Sequence, residues 1–277
     1  MSPTRQRFAE VVRAEPVDLG LACLLVGGEV PGSRLDVEQS LADLDALAAL
    51  ARPLVPRGGG LAAAAEGLRL ALGERAGFAG SGEDYADLRS SLLHEVLRRR
   101  RGLPLLLSVV WLEVAARLDV AAYAVALPGH VVVGIGDPED EQVLVDPFAG
   151  GRVIPEAELA ERMAAAGYPA LPAHLLAPMS AEDLLLRLLT NVRALGQRQG
   201  ATLQAAGTRL WAVELSLLLP RHPFELRRER AEVLVRLGRH LEGAGQLEEY
   251  ADALDEVDPP AAEASRREAR AARAQLN

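Results

Sequence analysis

The chain has 277 residues, 49% of them apolar, which is ample for a buried core and excludes a disordered polypeptide. Its net charge of −9 offers no general field to nucleic acid or to an anionic membrane. All 30 basic residues are arginine, which excludes Schiff-base chemistry, a pyridoxal-phosphate anchor and a Walker lysine; the single cysteine, Cys23, excludes an internal disulfide and a cysteine-based zinc cluster.

Residues 4–52 carry helical periodicity, clearest in "LDVEQSLADLDALAALAR", where Leu41, Leu44, Leu47 and Leu50 mark one face. Cys23 lies in "LGLACLLVGG", a short apolar run with Glu15 and Asp18 just ahead of it. No apolar span approaches the roughly 18 residues of a membrane helix, so a soluble, cytoplasmic protein is expected. "RPLVPRGGG" (52–60) interrupts the helices, and "LAAAAEGLRLALGERAG" reads as an Ala-rich helix followed by the polar loop "FAGSGED". "YADLRSSLLHEVLRRRRG" reads as a helix stopped by Gly102. "LPLLLSVVWLEVAARLDV" begins with Pro104 in a first turn and is apolar almost all round, so it is expected to be a buried helix. The runs "AYAVAL", "HVVVGI" and "QVLVDPF" then form the strand-rich part of the chain.

Beyond "AHLLAPMSAEDLLLRLL" the pattern is helical throughout. Two stretches, 191–223 and 232–260, share a layout of helix, Leu-Gly, turn, helix, Pro. The Leu-Gly pairs at 195 and 237 and the closing prolines at 220 and 259 are unevenly spaced. The layout still suggests stacked helical hairpins of the tetratricopeptide kind, whose usual period is about 34 residues. "AAEASRREARAARAQLN" is expected to be a charged capping helix. The apolar stripes of "LWAVELSLLLP" and "LEEYADALDEV" are read as repeat core, leaving a concave groove for peptides or partner proteins.

Chemistry concentrates in "HVVVGIGDPEDEQVLVDP" (130–147). Alternation puts His130, Val132 and Gly134 on one face and Val131, Val133 and Ile135 on the other. A "GDPED" turn that pairs Ile135 with Glu141 sets 133 opposite 143, 131 opposite 145 and His130 opposite Asp146. Their Cβ atoms would then lie roughly 5 Å apart. An aspartate beside a histidine fixes its tautomer and stabilises the imidazolium, as the base of a hydrolase or acyltransferase requires. A structural His–Asp hydrogen bond at the end of a hairpin satisfies the same spacing.

The segments "RRGLPLLLSVVWLEVAARLDV", "LPGHVVV" and "VLVDPFAGG", followed by helical repeats, resemble the bacterial SirB-type family of transglutaminase-like proteins. The most specific residues are Arg101–Pro104, Leu127–His130, and Asp146–Phe148 with Gly150 and Gly151. The resemblance implies an α+β fold: an N-terminal helical region (1–82), a transglutaminase-like, papain-like core (83–178) and an all-α tetratricopeptide-like region (179–277). It assigns the histidine and aspartate of a catalytic triad to His130 and Asp146. The nucleophilic cysteine of active members would fall near residues 103–106, where this chain has Leu-Pro-Leu-Leu. The chain also departs from the family at "SSLLHEVL", where an Asn-Ser beginning is usual, and at Asp119, where a glycine is usual.

Other candidates are weaker. Cys23 reads as a small buried hydrophobe, and the Ser108 hydroxyl is expected to bond back to a carbonyl of the preceding helical turn. "HEVLR" (94–98) has Arg98 where a zinc motif needs its second histidine, and His174, His222 and His240 lack metal-ligand spacing. No cofactor or metal is therefore expected. In "RRRR" (98–101), Arg101 is expected to meet a carboxylate of the fold rather than a ligand. Three readings follow. The first is a degenerate transglutaminase-like protein that binds or regulates a protein partner through its helical repeats. The second is a hydrolase or acyl-transfer enzyme using His130 and Asp146 with a non-cysteine nucleophile or an activated water. The third, a purely structural scaffold, leaves the Pro-Gly-His and Asp-Pro-Phe blocks unexplained.

Overall fold

The computed structural model describes residues 2–168 and 176–275; His174 lies outside them. The helices are α1 (Pro3–Val11), α2 (Leu19–Gly27), α3 (Val37–Ala51), α4 (Gly60–Leu68), α5 (Leu93–Arg99) and α6 (Pro104–Arg117) before the sheet. After it come α7 (Glu156–Ala165), α8 (Ala181–Arg198), α9 (Leu203–Ser216), α10 (Glu225–Arg236), α11 (His240–Leu254) and α12 (Pro259–Ala274). Strands β1 (Ala122–Leu127), β2 (His130–Gly136), β3 (Gln142–Asp146) and β4 (Arg152–Val153) form one antiparallel sheet in sequence order, so the architecture is α+β.

The chain divides into two compact units. One, Pro16–Leu184, holds the sheet with α2 to α7; the other takes α1 and, from Leu185 on, α8 to α12. The three-part reading of the sequence drew these lines elsewhere. The reason is that α2 and α3 bury Leu24, Leu25, Leu44 and Leu47 against α5 and α6, so they share one core with the sheet.

Helix α6 is the centre of the first unit. Pro104 opens it at the first turn, where no N–H is needed, and Leu105, Leu106, Leu107, Val109, Val110 and Trp111 are all buried. It packs on β1, β2 and the short 3-10 turn Pro147–Ala149. On the opposite face of the sheet Val125, Leu127, Val132 and Leu144 pack with Leu159 and Met163 of α7. Both faces of β2 are thus covered, which explains its near-continuous valine run.

Upstream of α6 the structure corrects the expected long helix. Residues 82–91 form two 3-10 turns, and the α-helix starts only at Leu93. It ends at Arg100, which adopts a left-handed conformation (φ 60°), two residues before Gly102. The Ala-rich helix, α4, passes into a π-helical stretch at Arg69–Arg75.

In the second unit successive helices α9 to α12 pack as neighbours. The two Leu-Gly pairs do different work. Gly238 follows α10 in the left-handed region (φ 80°) and terminates that helix, as a C-terminal glycine does. Gly196 is inside α8, where an added Cβ would lie 3.0 Å from Ala205 O and 2.7 Å from Arg209 Cγ. That glycine permits close helix packing rather than a turn, so the two Leu-Gly pairs are not structurally equivalent. The closing segment forms α12, which buries Ala262, Ala269 and Ala272.

Candidate functional site

The register of β2 and β3 differs from the sequence expectation by two residues. Val133 faces Val145, Ile135 faces Val143, and Gly136 faces Gln142. The turn is therefore Asp137–Glu141, closed by the Asp137 N–H donating to Glu141 O at 3.1 Å. Gly136 makes this closure possible: its φ is 119°, and a Cβ there would sit 2.3 Å from Glu141 O. A two-residue shift preserves side-chain parity, so both valine faces stay as expected. It moves Asp146 opposite Val132, leaving His130 on the same face but diagonal to it.

The two side chains meet across that diagonal. His130 Nε2 lies 2.8 Å from Asp146 Oδ1. A carboxylate oxygen only accepts, so Nε2 carries the proton and the tautomer of a neutral His130 is set. Asp146 is 2% exposed. Its Oδ1 also accepts from the Phe148 N–H at 3.0 Å, and its Oδ2 from Arg162 of α7 at 3.4 Å. Burial by itself would push the Asp146 carboxyl up. The His130 hydrogen bond and charge, the Arg162 charge and the Ala149 N–H together outweigh it and hold the carboxyl below its usual range. Asp146 is therefore an ionised, positioned partner for the imidazole. Phe148 and the His130 ring meet edge to face, with centroids 5.7 Å apart at 89°, and Tyr85 also packs on Phe148, with centroids 6.1 Å apart.

The Asp-Pro-Phe-Ala-Gly-Gly segment is held tightly. A Cβ on Gly80 would come within 2.0 Å of the Phe148 ring, and one on Gly73 within 1.9 Å of Gly150 O. The Arg-Gly-Leu-Pro block acts on the other flank. Arg101 Nε donates to Asp84 at 3.0 Å, so it meets a carboxylate of the fold. Asp84 is 1% exposed and also accepts from the Ser81 N–H and the Ser90 hydroxyl, each at 2.8 Å. Burial raises this carboxyl, but those hydrogen bonds and the Arg101 charge bring it below the usual range. The Leu103 N–H donates to Ser90 O at 2.9 Å, so this buried cluster anchors the start of α6.

No thiol stands at that start, where Leu103, Pro104, Leu105 and Leu106 are all buried. Cys23 is on α2 and 1% exposed. Burial, with the charges of Glu113 and Asp18, pushes its thiol far above the ordinary cysteine range, so it is not a thiolate nucleophile. Ser108 does not bond back to its own helix as expected. Its hydroxyl donates to Val131 O on β2 at 3.3 Å, because the helix packs directly on that strand. It is fully buried. His94 is wedged against α2, where a Cβ on Gly27 would touch its ring at 2.4 Å; it serves packing. Among the described residues no group of three or more His, Cys, Asp or Glu is gathered as a metal site, and no helix is long and apolar enough to cross a membrane.

Sequence reasoning did not single out Asp84 or Arg162, and it named Phe148 in the Asp-Pro-Phe block without its contact to His130. Asp84 had a local signal, the Ser81-x-x-Asp84 capping pattern. Arg162 had none, since its i, i+4 spacing from Glu158 explains it as a surface pair and only the packing of α7 brings it to Asp146.

Residues 38–190 match the family profile described as the transglutaminase-like superfamily, which is more than half the chain. The chain belongs to the transglutaminase-like superfamily. It is similar to a UPF0162 protein of Xylella fastidiosa (strain 9a5c), at 32% identity over 183 residues covering 64% of this chain and 63% of the relative. It is also similar to UPF0162 protein PA3419 of Pseudomonas aeruginosa, at 34% over 153 residues (54% and 55%). F-box only protein 21 of Mus musculus is 28% identical over 134 residues, which is 44% of this chain and 20% of that protein. The matched region spans less than two thirds of each of these relatives. No solved structure matched the chain.

Proposed function

We propose that this is a degenerate transglutaminase-like protein of the SirB type, acting in the cytoplasm as a protein-interaction or regulatory module rather than as a thiol enzyme. The observation that carries the reading is the buried Leu-Pro-Leu-Leu at the start of α6, in a chain whose one cysteine is buried in another helix. Acyl transfer through a thiolate needs an accessible, ionisable sulfur, and this chain has none to offer. On this reading α8 to α12 are tetratricopeptide-like repeats that receive a protein or peptide partner, and His130 and Asp146 are retained triad positions that now brace the end of the hairpin.

The second reading rests on the same pair. A proton-bearing Nε2 held by an ionised Asp146 leaves Nδ1 as the acceptor of a base that could activate water or a hydroxyl. One assay separates the two. The full-length protein is incubated with a γ-glutamyl transfer substrate, a thiol-protease substrate and an activated ester, beside His130→Ala. The expected result is no turnover above that of the variant. Turnover abolished by His130→Ala overturns the non-catalytic reading.

A further inference from the structure

In the unit formed by α8 to α12, a cavity of about 360 Å³ opens between the α9–α10 connection and α11. That is large enough for a side chain with its flanking backbone. Its apolar wall is Leu217 and the ring of Tyr250, which is 8% exposed and stacks on Phe224 with centroids 4.7 Å apart at 20°. This aromatic pair is a rigid support with little rotamer freedom left to lose on binding.

The polar groups around that wall are more informative. Arginines of this unit are for the most part spoken for: Arg193 and Arg209 pair with Glu229, Arg228 with Glu232 and Glu268, and Arg230 with Glu214. Arg227 is different. Its guanidinium lies over the Phe224 ring, 5.2 Å from the centroid, at the mouth of the cavity. It has no carboxylate partner among the described residues. Stacking on an aromatic face orients a guanidinium and leaves its edge N–H groups pointing away from the ring, ready for a planar carboxylate.

His222 supplies the opposite polarity. Its Nδ1 lies 2.9 Å from Leu219 O, and a carbonyl can only accept, so Nδ1 carries the proton. In the neutral imidazole Nε2 is then an acceptor. Gln246 adds an amide that both donates and accepts, and Glu249 adds a carboxylate at the exposed rim. Arg230 also lines the cavity, but Glu214 and Glu242 already hold its guanidinium, so a bare inorganic anion would meet one uncommitted cation and otherwise acceptors or a like charge. A peptide offers what the cavity asks for: an acidic side chain for Arg227, backbone N–H groups for His222 and Glu249, and an apolar side chain for the Leu217–Tyr250 wall.

We infer that this cavity binds a peptide segment in which an acidic residue adjoins an apolar one. The inference rests on the interaction-module reading above and names the class of partner. Arg227 is exposed, so replacing it leaves the core intact.

The test is fluorescence anisotropy with the full-length protein and a fluorescein-labelled peptide of alternating glutamate and leucine. Saturable binding is expected, with little binding of the glutamine–leucine counterpart. Arg227→Ala is expected to weaken binding about tenfold or more, the loss of one charge-assisted contact, with Arg227→Lys in between. Free glutarate should not displace the peptide at matched concentration. Failure of the glutamate peptide to bind, equal binding of the glutamine peptide, or an unchanged affinity in Arg227→Ala overturns the inference. So does displacement by glutarate as effective as by unlabelled peptide, since the cavity would then be a small-carboxylate site. These outcomes leave the non-catalytic reading standing. Conversely, His130-dependent turnover would sink that reading without moving the anisotropy.

Discussion

Replacing Asp146 by alanine removes the acceptor of several donors at once, and its cost can be built from the geometry. The Arg162 contact is long, at 3.4 Å, the arginine is partly exposed, and it keeps Glu158, so its loss contributes little. The cost lies with His130 Nε2–H and the Phe148 N–H, which lose their partner at 2.8 and 3.0 Å beneath a carboxylate that is 2% exposed. Each stranded donor costs about 1–3 kcal/mol. Asp146→Ala should therefore destabilise the unit by roughly 2–6 kcal/mol. Asp146→Asn keeps an amide oxygen and loses only the charge assistance, so about 1 kcal/mol is expected. Urea unfolding in a Trp211→Phe background isolates the unit concerned, because Trp111 is then the remaining tryptophan and is fully buried in α6. The folded-state carboxyl is depressed, so its contribution is complete above the unfolded aspartate value of about 4 and is lost as pH falls through the folded one. The gap between wild type and Asp146→Asn should close in acid. An alanine cost below about 1 kcal/mol at neutral pH, or a gap independent of pH, would refute this account of the site.

Asp84→Ala strands Arg101 and the Ser81 and Ser90 donors, and a loss of about 3–5 kcal/mol in urea unfolding is expected. Its carboxyl is also depressed, so this stabilisation too should vanish only in acid; a mild effect would show that the cluster does not anchor α6. Gly80→Ala should drive the Phe148 ring from its place, costing about 1–3 kcal/mol and altering the His130 ring resonances in NMR; unchanged spectra would contradict the packing. Native Cys23 should resist a thiol-specific disulfide reagent and react promptly once the protein is unfolded in urea; fast native labelling would show an accessible thiol.

Much of this protein was legible in the sequence because the signals are local. Alternation assigned β1, β2 and β3 and their faces, and the all-round apolar pattern after Pro104 identified the buried α6. The Leu-Pro-Leu-Leu at that helix start already showed that no cysteine stands there. Tertiary structure decided the rest. A two-residue register shift keeps every side chain on its face, so no hydrophobic pattern can distinguish it; the Asp137–Glu141 closure at Gly136 does. Ahead of α5, which starts at Leu93, the Ser90 hydroxyl is held by Asp84, and Arg101 claims Asp84 in turn, a contact across 17 positions. Ser108 turned to Val131 rather than to its own helix because the strand carbonyl lies against it. His130 and Asp146 could be named from the chain alone. Their surroundings, Phe148 edge to face with the His130 ring and Arg162 of α7 beside Asp146, come from tertiary packing, since sequence patterns record which face is buried and not which neighbour buries it.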